Sequence, residues 1–389
     1  MITQRDPLNS RLRSFGTSIF AEMSRLAVLH HAVNLGQGFP DFPAPDFVKQ
    51  AAAQAIEENR NQYARMAGEP PLVRAIADKI KRLYDLAYDP MEEVTVYSGC
   101  TEAIHSTLLA LCEPGDEVIL FEPFYDSYAG CVAMAGATPR FVTMRAPGFR
   151  WRPEELEAAF SDRTRAILVN TPHNPTGRVL DRSELEQIAT LARRYDALVI
   201  ADEVYEHLVF EGRHIPIATL DGMRDRTITL NSTGKTFSLT GWKIGYSTAP
   251  QEITRALRTV HQFVTFASAT PFQHAMACAL SSPSAYYEEF LATYRKRRTR
   301  LCEMLARTGF TVFEPAGTYF ACVDIRPLGF DDATVFCAHL IEKAGVAAIP
   351  MSAFYENKEE GRPLVRFAFC KSEETLDLAS QGLGRLQAK

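Results

Sequence analysis

From residue 94 to residue 231, short apolar stretches recur with helical patterns between them, and that alternation leaves few folds open to the chain. Val94-Thr95-Val96-Tyr97, Glu117-Val118-Ile119-Leu120-Phe121, Arg165-Ala166-Ile167-Leu168-Val169, Ala197-Leu198-Val199-Ile200-Ala201 and Thr227-Ile228-Thr229-Leu230-Asn231 have the length and β-branched content of strands. Segments 101–112 and 183–194 carry helical spacing between some of them. Such units predict a mostly parallel sheet covered on both faces, with ligands bound beyond the carboxyl ends of its strands. After about residue 284 the pattern changes to a long charged helix, Tyr286 to Leu305, and then to strand-like Thr311-Val312-Phe313 and Tyr319-Phe320-Ala321-Cys322-Val323. That change predicts a smaller α+β domain. The run Arg295-Lys296-Arg297-Arg298 on the long helix reads as a solvated face rather than an anion patch.

Composition excludes several classes of function. The chain has 389 residues, 46% of them apolar, enough for two domains around a substantial core. Its net charge is −5 with basic residues scattered among acids, so no basic stripe offers itself to nucleic acid. No run approaches the about 18 apolar residues needed to cross a bilayer, which argues against a membrane. The first 30 residues carry Arg5, Asp6, Arg11, Arg13, Glu22 and Arg25 and do not read as a secretory signal. Eight widely spaced cysteines without a Cys-x-x-Cys pair predict buried thiols rather than disulfides or zinc, as in a reducing cytoplasm.

The residues with chemistry cluster at predicted strand ends. Asp202 and Tyr205, in Ala201-Asp202-Glu203-Val204-Tyr205, end one strand; Ser232-Thr233-Gly234-Lys235-Thr236-Phe237 follows another. An acid, a tyrosine and a lysine so placed suit pyridoxal phosphate: the amine condenses with the cofactor aldehyde, and the carboxylate keeps the pyridine nitrogen protonated. For that the lysine must fall below its reference pKa of about 10.4 or bypass it. A carboxylate ending an apolar strand needs a cationic or donor partner, which a pyridinium supplies. Glu203 reads as a support residue. Ser98-Gly99-Cys100-Thr101-Glu102 follows a strand and opens a helix, an anion site by geometry. Arg366 interrupts the apolar strand Leu364-Val365-Arg366-Phe367-Ala368 and needs an anion.

Two further stretches, Asn170-Thr171-Pro172-His173-Asn174-Pro175-Thr176-Gly177 and Gly241-Trp242-Lys243-Ile244-Gly245-Tyr246, flank the acid and the lysine. Together these motifs resemble the class I/II aminotransferases of fold type I. Within that family the chain looks most like the kynurenine, methionine and glutamine-type enzymes, through Asn34-Leu35-Gly36-Gln37-Gly38-Phe39-Pro40, Asn61-Gln62-Tyr63, Glu122-Pro123-Phe124-Tyr125-Asp126 and Val346-Ala347-Ala348-Ile349-Pro350. The likeness runs from about Gly16 to the last helix.

The resemblance implies an α/β fold: a large domain with a mostly parallel seven-stranded sheet over residues 46–284, and a smaller α+β domain built from 285–389 with part of an arm at 1–45. It implies that Lys235, Asp202 and Tyr205 are catalytic. Gly99, Cys100, Thr101, Ser232 and Lys243 would hold the phosphate, with Lys243 standing where many relatives carry arginine. Tyr125 would stack on the pyridine ring, and Asn174 and Tyr205 would bond its 3-oxygen. Arg366 and Gly38 would take the substrate α-carboxylate, with Asn174, Phe20 and Phe266 also at the substrate and Tyr63 at the cofactor; Phe20, Tyr63, Tyr125 and Phe266 would supply the aromatic pocket walls. Asn61-Gln62-Tyr63 and Thr265-Phe266-Ala267 match segments that reach into a partner's site, so a homodimer is implied. The expected activity is transfer of an amino group from an aromatic, sulfur-containing or glutamine-like amino acid to a 2-oxo acid. A cysteine-conjugate β-lyase and a non-catalytic cofactor-binding domain are the competing readings.

Overall fold

The computed structural model describes residues 8–16 and 19–386, so Arg5 and Asp6 lie outside the described residues. A seven-stranded sheet forms its centre: β1 (Val94–Ser98), β2 (Glu117–Glu122), β3 (Thr138–Thr143), β4 (Thr164–Asn170), β5 (Leu198–Asp202), β6 (Thr227–Ser232) and β7 (Ile244–Thr248), in the order β1-β7-β6-β5-β4-β2-β3. The pairs β2–β3, β2–β4, β4–β5 and β5–β6 are parallel; β7 runs antiparallel to both β1 and β6. The five predicted strands stand within a residue of their expected bounds.

Side-chain alternation explains why these segments are strands. Ile119, Phe121, Ile167, Val169, Val199 and Ala201 enter one apolar core, while Val118, Leu120, Ala166, Leu168, Ile200 and Ile228 enter the core on the other face. Both faces are thus dry, and the strands read as continuous apolar runs. The two unpredicted strands lack that signal. Thr138–Thr143 is a partly exposed edge strand containing Pro139, a residue tolerated where no further partner needs its N–H. Ile244–Thr248 is fully buried, yet reads Ile-Gly-Tyr-Ser-Thr and passes for a loop.

A second, four-stranded sheet consists of β8 (Thr311–Phe313), β9 (Phe320–Asp324), β10 (Ile349–Pro350) and β11 (Leu364–Ala368), in the antiparallel order β10-β11-β9-β8. Val33–Asn34 pairs with Val346–Ala347, which ties the N-terminal segment to this part of the chain. The long helix spans Ser284–Thr308. Its basic run is not a plain solvated face: Arg297 stacks over the Phe42 ring at 3.9 Å, and Arg298 donates to Glu211 and, at 3.2 Å, to Glu314. Stems of this kind cover apolar surface while their heads find anions.

Leu168 is 1% exposed at the middle of β4. Leu168→Ala should cost about 2–5 kcal/mol of unfolding free energy, through lost burial and the cavity left behind. Chemical denaturation monitored by circular dichroism checks this.

Candidate active site

The carboxyl ends of β1, β4, β5 and β6 converge on one cavity, as parallel strands require. Its walls include Gly99, Cys100, Thr101 and Tyr125 on one side, and Asn174, Asp202, Tyr205, Ser232, Lys235 and Lys243 on the other. The structure thus brings together ten of the residues singled out in the sequence.

Asp202 is the last residue of β5 and is 4% exposed. Its Oδ2 accepts a 2.6 Å hydrogen bond from the Tyr128 hydroxyl, and Oδ1 faces the Cys100 thiol at 3.8 Å and the Val204 N–H at 3.4 Å. Burial pushes its carboxyl above the ordinary range, against the pull of Tyr128, the Val204 N–H and Lys235. A cation brought against the carboxylate would reverse that push. Tyr128 and Asn170 also line the cavity and carried no role in the sequence reading. Asn170 donates to the Asp202 carbonyl at 2.9 Å and accepts from the Asn174 N–H at 2.8 Å, so it fixes both neighbours. Tyr128 lies three residues after Tyr125, in the first turn of the Ser127–Ala135 helix; nothing local in sequence says that its hydroxyl meets Asp202.

Lys235 sits in a four-residue helical turn, Thr233–Thr236, capped by Ser232, whose hydroxyl accepts the Gly234 N–H at 3.2 Å. No hydrogen bond or ion pair among the described residues engages its Nζ, which lies 5.7 Å from the Tyr205 ring centroid and 5.9 Å from that of Tyr319. Desolvation lowers the amine, opposed by Cys370, Asp202 and Cys100. A lowered amine is a better nucleophile toward an aldehyde.

The anion end is built by close backbone approach. Gly99 has φ 85°, and a Cβ there would stand 2.9 Å from Lys243 Cε; a Cβ on Gly245 would stand 2.4 Å from the Cys100 N. Lys243 itself holds φ 54°, an uncommon backbone state for a non-glycine residue, as it enters β7. Backbone N–H groups at the start of the Cys100–Leu111 helix, the Thr101 and Ser232 hydroxyls and the Lys243 ammonium make a donor set suited to a phosphate. Tyr125 lines the cavity, whereas its neighbour Phe124 stacks on Phe141 at 5.4 Å, outside it.

Five predicted residues lie off the cavity wall. Arg366 is 1% exposed: Nη1 donates to Asn174 Oδ1 and Nη2 to the Gly36 carbonyl, both at 2.9 Å, while Nε has no acceptor. No carboxylate of the described residues pairs with it, which removes the alternative of an internal salt bridge. Rings of Phe320, Phe354 and Phe20 surround the guanidinium at 4.0, 5.0 and 5.2 Å. Phe20 is therefore a lid on Arg366 in this chain and not part of the cavity wall. A Cβ on Gly38 would stand 2.6 Å from the Phe320 ring, so its glycine is required by that packing; its carbonyl accepts the Tyr319 hydroxyl at 2.5 Å. Tyr63 and Phe266 meet edge to face at 5.6 Å on the surface, away from their own chain's cavity, where Tyr63 is 88% exposed.

The arrangement fits pyridoxal phosphate. Asp202 is a buried carboxylate lacking a cation, Lys235 an unengaged and depressed amine, and the glycine-lined turn a cradle for the phosphate.

Residues 30–383 match the family described as aminotransferase class I and II. The solved N-succinyldiaminopimelate aminotransferase of Mycobacterium tuberculosis superposes with a TM-score of 0.95 at 49% identity, over 97% of this chain and 100% of that one. Methionine aminotransferase of Escherichia coli is 39% identical over 97% of this chain and 98% of its own length. Rat kynurenine–oxoglutarate transaminase 3 is 39% identical over 95% and 88%. The chain belongs to the class I and II aminotransferases, pyridoxal phosphate-dependent enzymes of fold type I.

Gly245→Ala should force the Cys100 turn outward. Overpacking of this kind costs about 1–3 kcal/mol, so cofactor affinity should fall about 5- to 150-fold. Titration of the cofactor-depleted protein, followed by visible absorbance, measures it.

Proposed function

We propose that this aminotransferase takes amino acids with long, aromatic or sulfur-containing side chains, and glutamine, as donors, and that Lys235, Asp202, Tyr205, Asn174 and Arg366 carry the reaction. When bound, the cofactor supplies an aldehyde to receive the amino group and a protonated ring that withdraws electrons from the substrate α-carbon. Lys235 would be the base that moves the proton at the substrate α-carbon. Asp202, aligned by Tyr128, would hold the ring nitrogen protonated. Tyr205 and the Asn174 amide would bond the 3-oxygen, and Tyr125 would face the ring. Gly99, Cys100, Thr101, Ser232 and Lys243 would hold the phosphate. The observation that carries the reading is Arg366, a buried guanidinium without an anion, joined to the cavity through Asn174. Leaving a buried charge unpaired is costly, and a substrate carboxylate removes that cost.

Lys235 and Lys243, the cations on the cavity wall, are both committed to these roles, and rings enclose Arg366. A short second carboxylate such as that of aspartate would find no partner here. The Mycobacterium tuberculosis relative adds N-succinyldiaminopimelate, whose distal charge sits on a long chain, to the donors worth testing. Apolar exposure at Tyr63, Phe263 (81%) and Phe266 (43%) supports a homodimer in which these segments enter the partner's site. The four-stranded sheet, together with the separate two-stranded pairing of Val33–Asn34 with Val346–Ala347, supports a large domain at 46–284 and a smaller one at 285–389 with 1–45. Eight free thiols favour the cytoplasm, and no helix of the described residues is long and apolar enough to cross a membrane.

Borohydride reduction of the loaded enzyme followed by peptide mapping should tag Lys235; a tag on another lysine defeats the assignment. Arg366→Ala should raise KM for amino donors by about 10- to 100-fold, the worth of charged hydrogen bonds, and spare the visible absorbance of bound cofactor. Values of kcat/KM for methionine, kynurenine, phenylalanine, glutamine, N-succinyldiaminopimelate and aspartate rank the donors, and aspartate in first place overturns the proposed class.

A further inference from the structure

A buried histidine holds the Gly99–Thr101 turn from behind. His261, on the Gln251–Val264 helix, has no exposed surface. Its Nε2 lies 3.0 Å from the Met66 carbonyl oxygen, and its Nδ1 lies 2.6 Å from Glu102 Oε1. A carbonyl only accepts, so Nε2 carries a hydrogen. Glu102 is also occupied as an acceptor at both oxygens: Oε1 takes the Thr265 hydroxyl at 2.6 Å, and Oε2 takes the Ser98 N–H at 2.5 Å. Burial acts to raise the Glu102 carboxyl, but the bonds from His261 and Thr265 outweigh it and hold the group below the ordinary carboxylate range. The ring thus donates from Nε2 to the Met66 carbonyl and meets the Glu102 carboxyl group at Nδ1.

The remaining surroundings agree. The Tyr97 ring stands edge-on at 4.8 Å, and burial pushes its phenol far above its usual range, so it stays neutral. The Thr265 oxygen, 3.3 Å from Nδ1, has given its hydrogen to Glu102. Arg258, on the same helix, is engaged by Thr95 and by the Met91 and Val94 carbonyls.

We infer that His261 is a positioning residue for the cofactor's phosphate: it fixes Glu102, and Glu102 fixes the N–H of Ser98, the residue before Gly99. The inference rests on the proposed placement of the phosphate at this turn. The same ring pins Met66, three residues beyond Tyr63, and Thr265 adjoins Phe266, so one side chain also anchors both surface segments.

Affinities of the cofactor-depleted full chain for pyridoxal phosphate and for pyridoxal separate positioning from bulk stability. His261→Gln should weaken the phosphorylated form about 10- to 100-fold and pyridoxal little. Equal losses for both mean a merely structural histidine and refute the role. Lys243→Ala tests the premise. If it leaves the preference for the phosphorylated form intact, the phosphate placement falls and the inference with it; if it abolishes the preference while His261→Gln keeps it, the inference alone fails.

Discussion

The structure is organised around a carboxylate that has no business in an apolar sheet unless donors and a cation come to it. Asp202 ends β5, near the middle of the seven strands, and its surroundings are drawn from four separate stretches of chain. Tyr128 comes from the helix after β2, Cys100 from the helix after β1, Asn170 from the adjoining strand, and Lys235 from the turn after β6. Parallel strands make this convergence possible, because successive crossovers deliver every carboxyl end to the same edge of the sheet. The donors settle part of the charge. What is left over is the site's demand for a positively charged ring.

The opposite end of the cavity follows a different rule, that of space. β7 reverses direction between β1 and β6, and the reversal brings Lys243 and Gly245 against the turn at Gly99 and Cys100. Glycines at 99 and 245 are needed because backbone, not side chain, must form the wall. Backbone donors aimed by a rigid sheet lose little freedom when an anion arrives, so the turn is preorganised for the phosphate proposed to bind there.

Much of this was legible in the sequence, and the reason is physical. The central strands are buried on both faces, so their apolar runs announce themselves, and each motif with chemistry falls at a strand end where that fold puts ligands. Asp202, Lys235, Asn174 and the Gly99 turn could therefore be placed without coordinates. Tyr128, Asn170 and His261 could not, since their roles depend on partners 74, 32 and 159 residues away in sequence. β7 escaped because Gly245, Tyr246, Ser247 and Thr248 are buried there without forming the apolar run that marks the other central strands. Tyr63 and Phe266 were assigned to a partner's site by resemblance, and their exposure away from their own chain's cavity accords with that assignment.

The bond from Arg366 Nη1 to Asn174 Oδ1 has a consequence for how the two ligands are sensed. One side-chain amide has its oxygen turned to the guanidinium and its nitrogen free for the cavity, so it belongs to both compartments. An anion that draws Arg366 toward itself changes the polarisation and freedom of that amide, and with them its grip on whatever occupies the cavity. Thermodynamic reciprocity makes the effect mutual: the factor by which one guest alters the affinity of the other is the same in both directions. With the substrate carboxylate at Arg366 and the cofactor in the cavity, as proposed above, that single amide would be shared between the two guests.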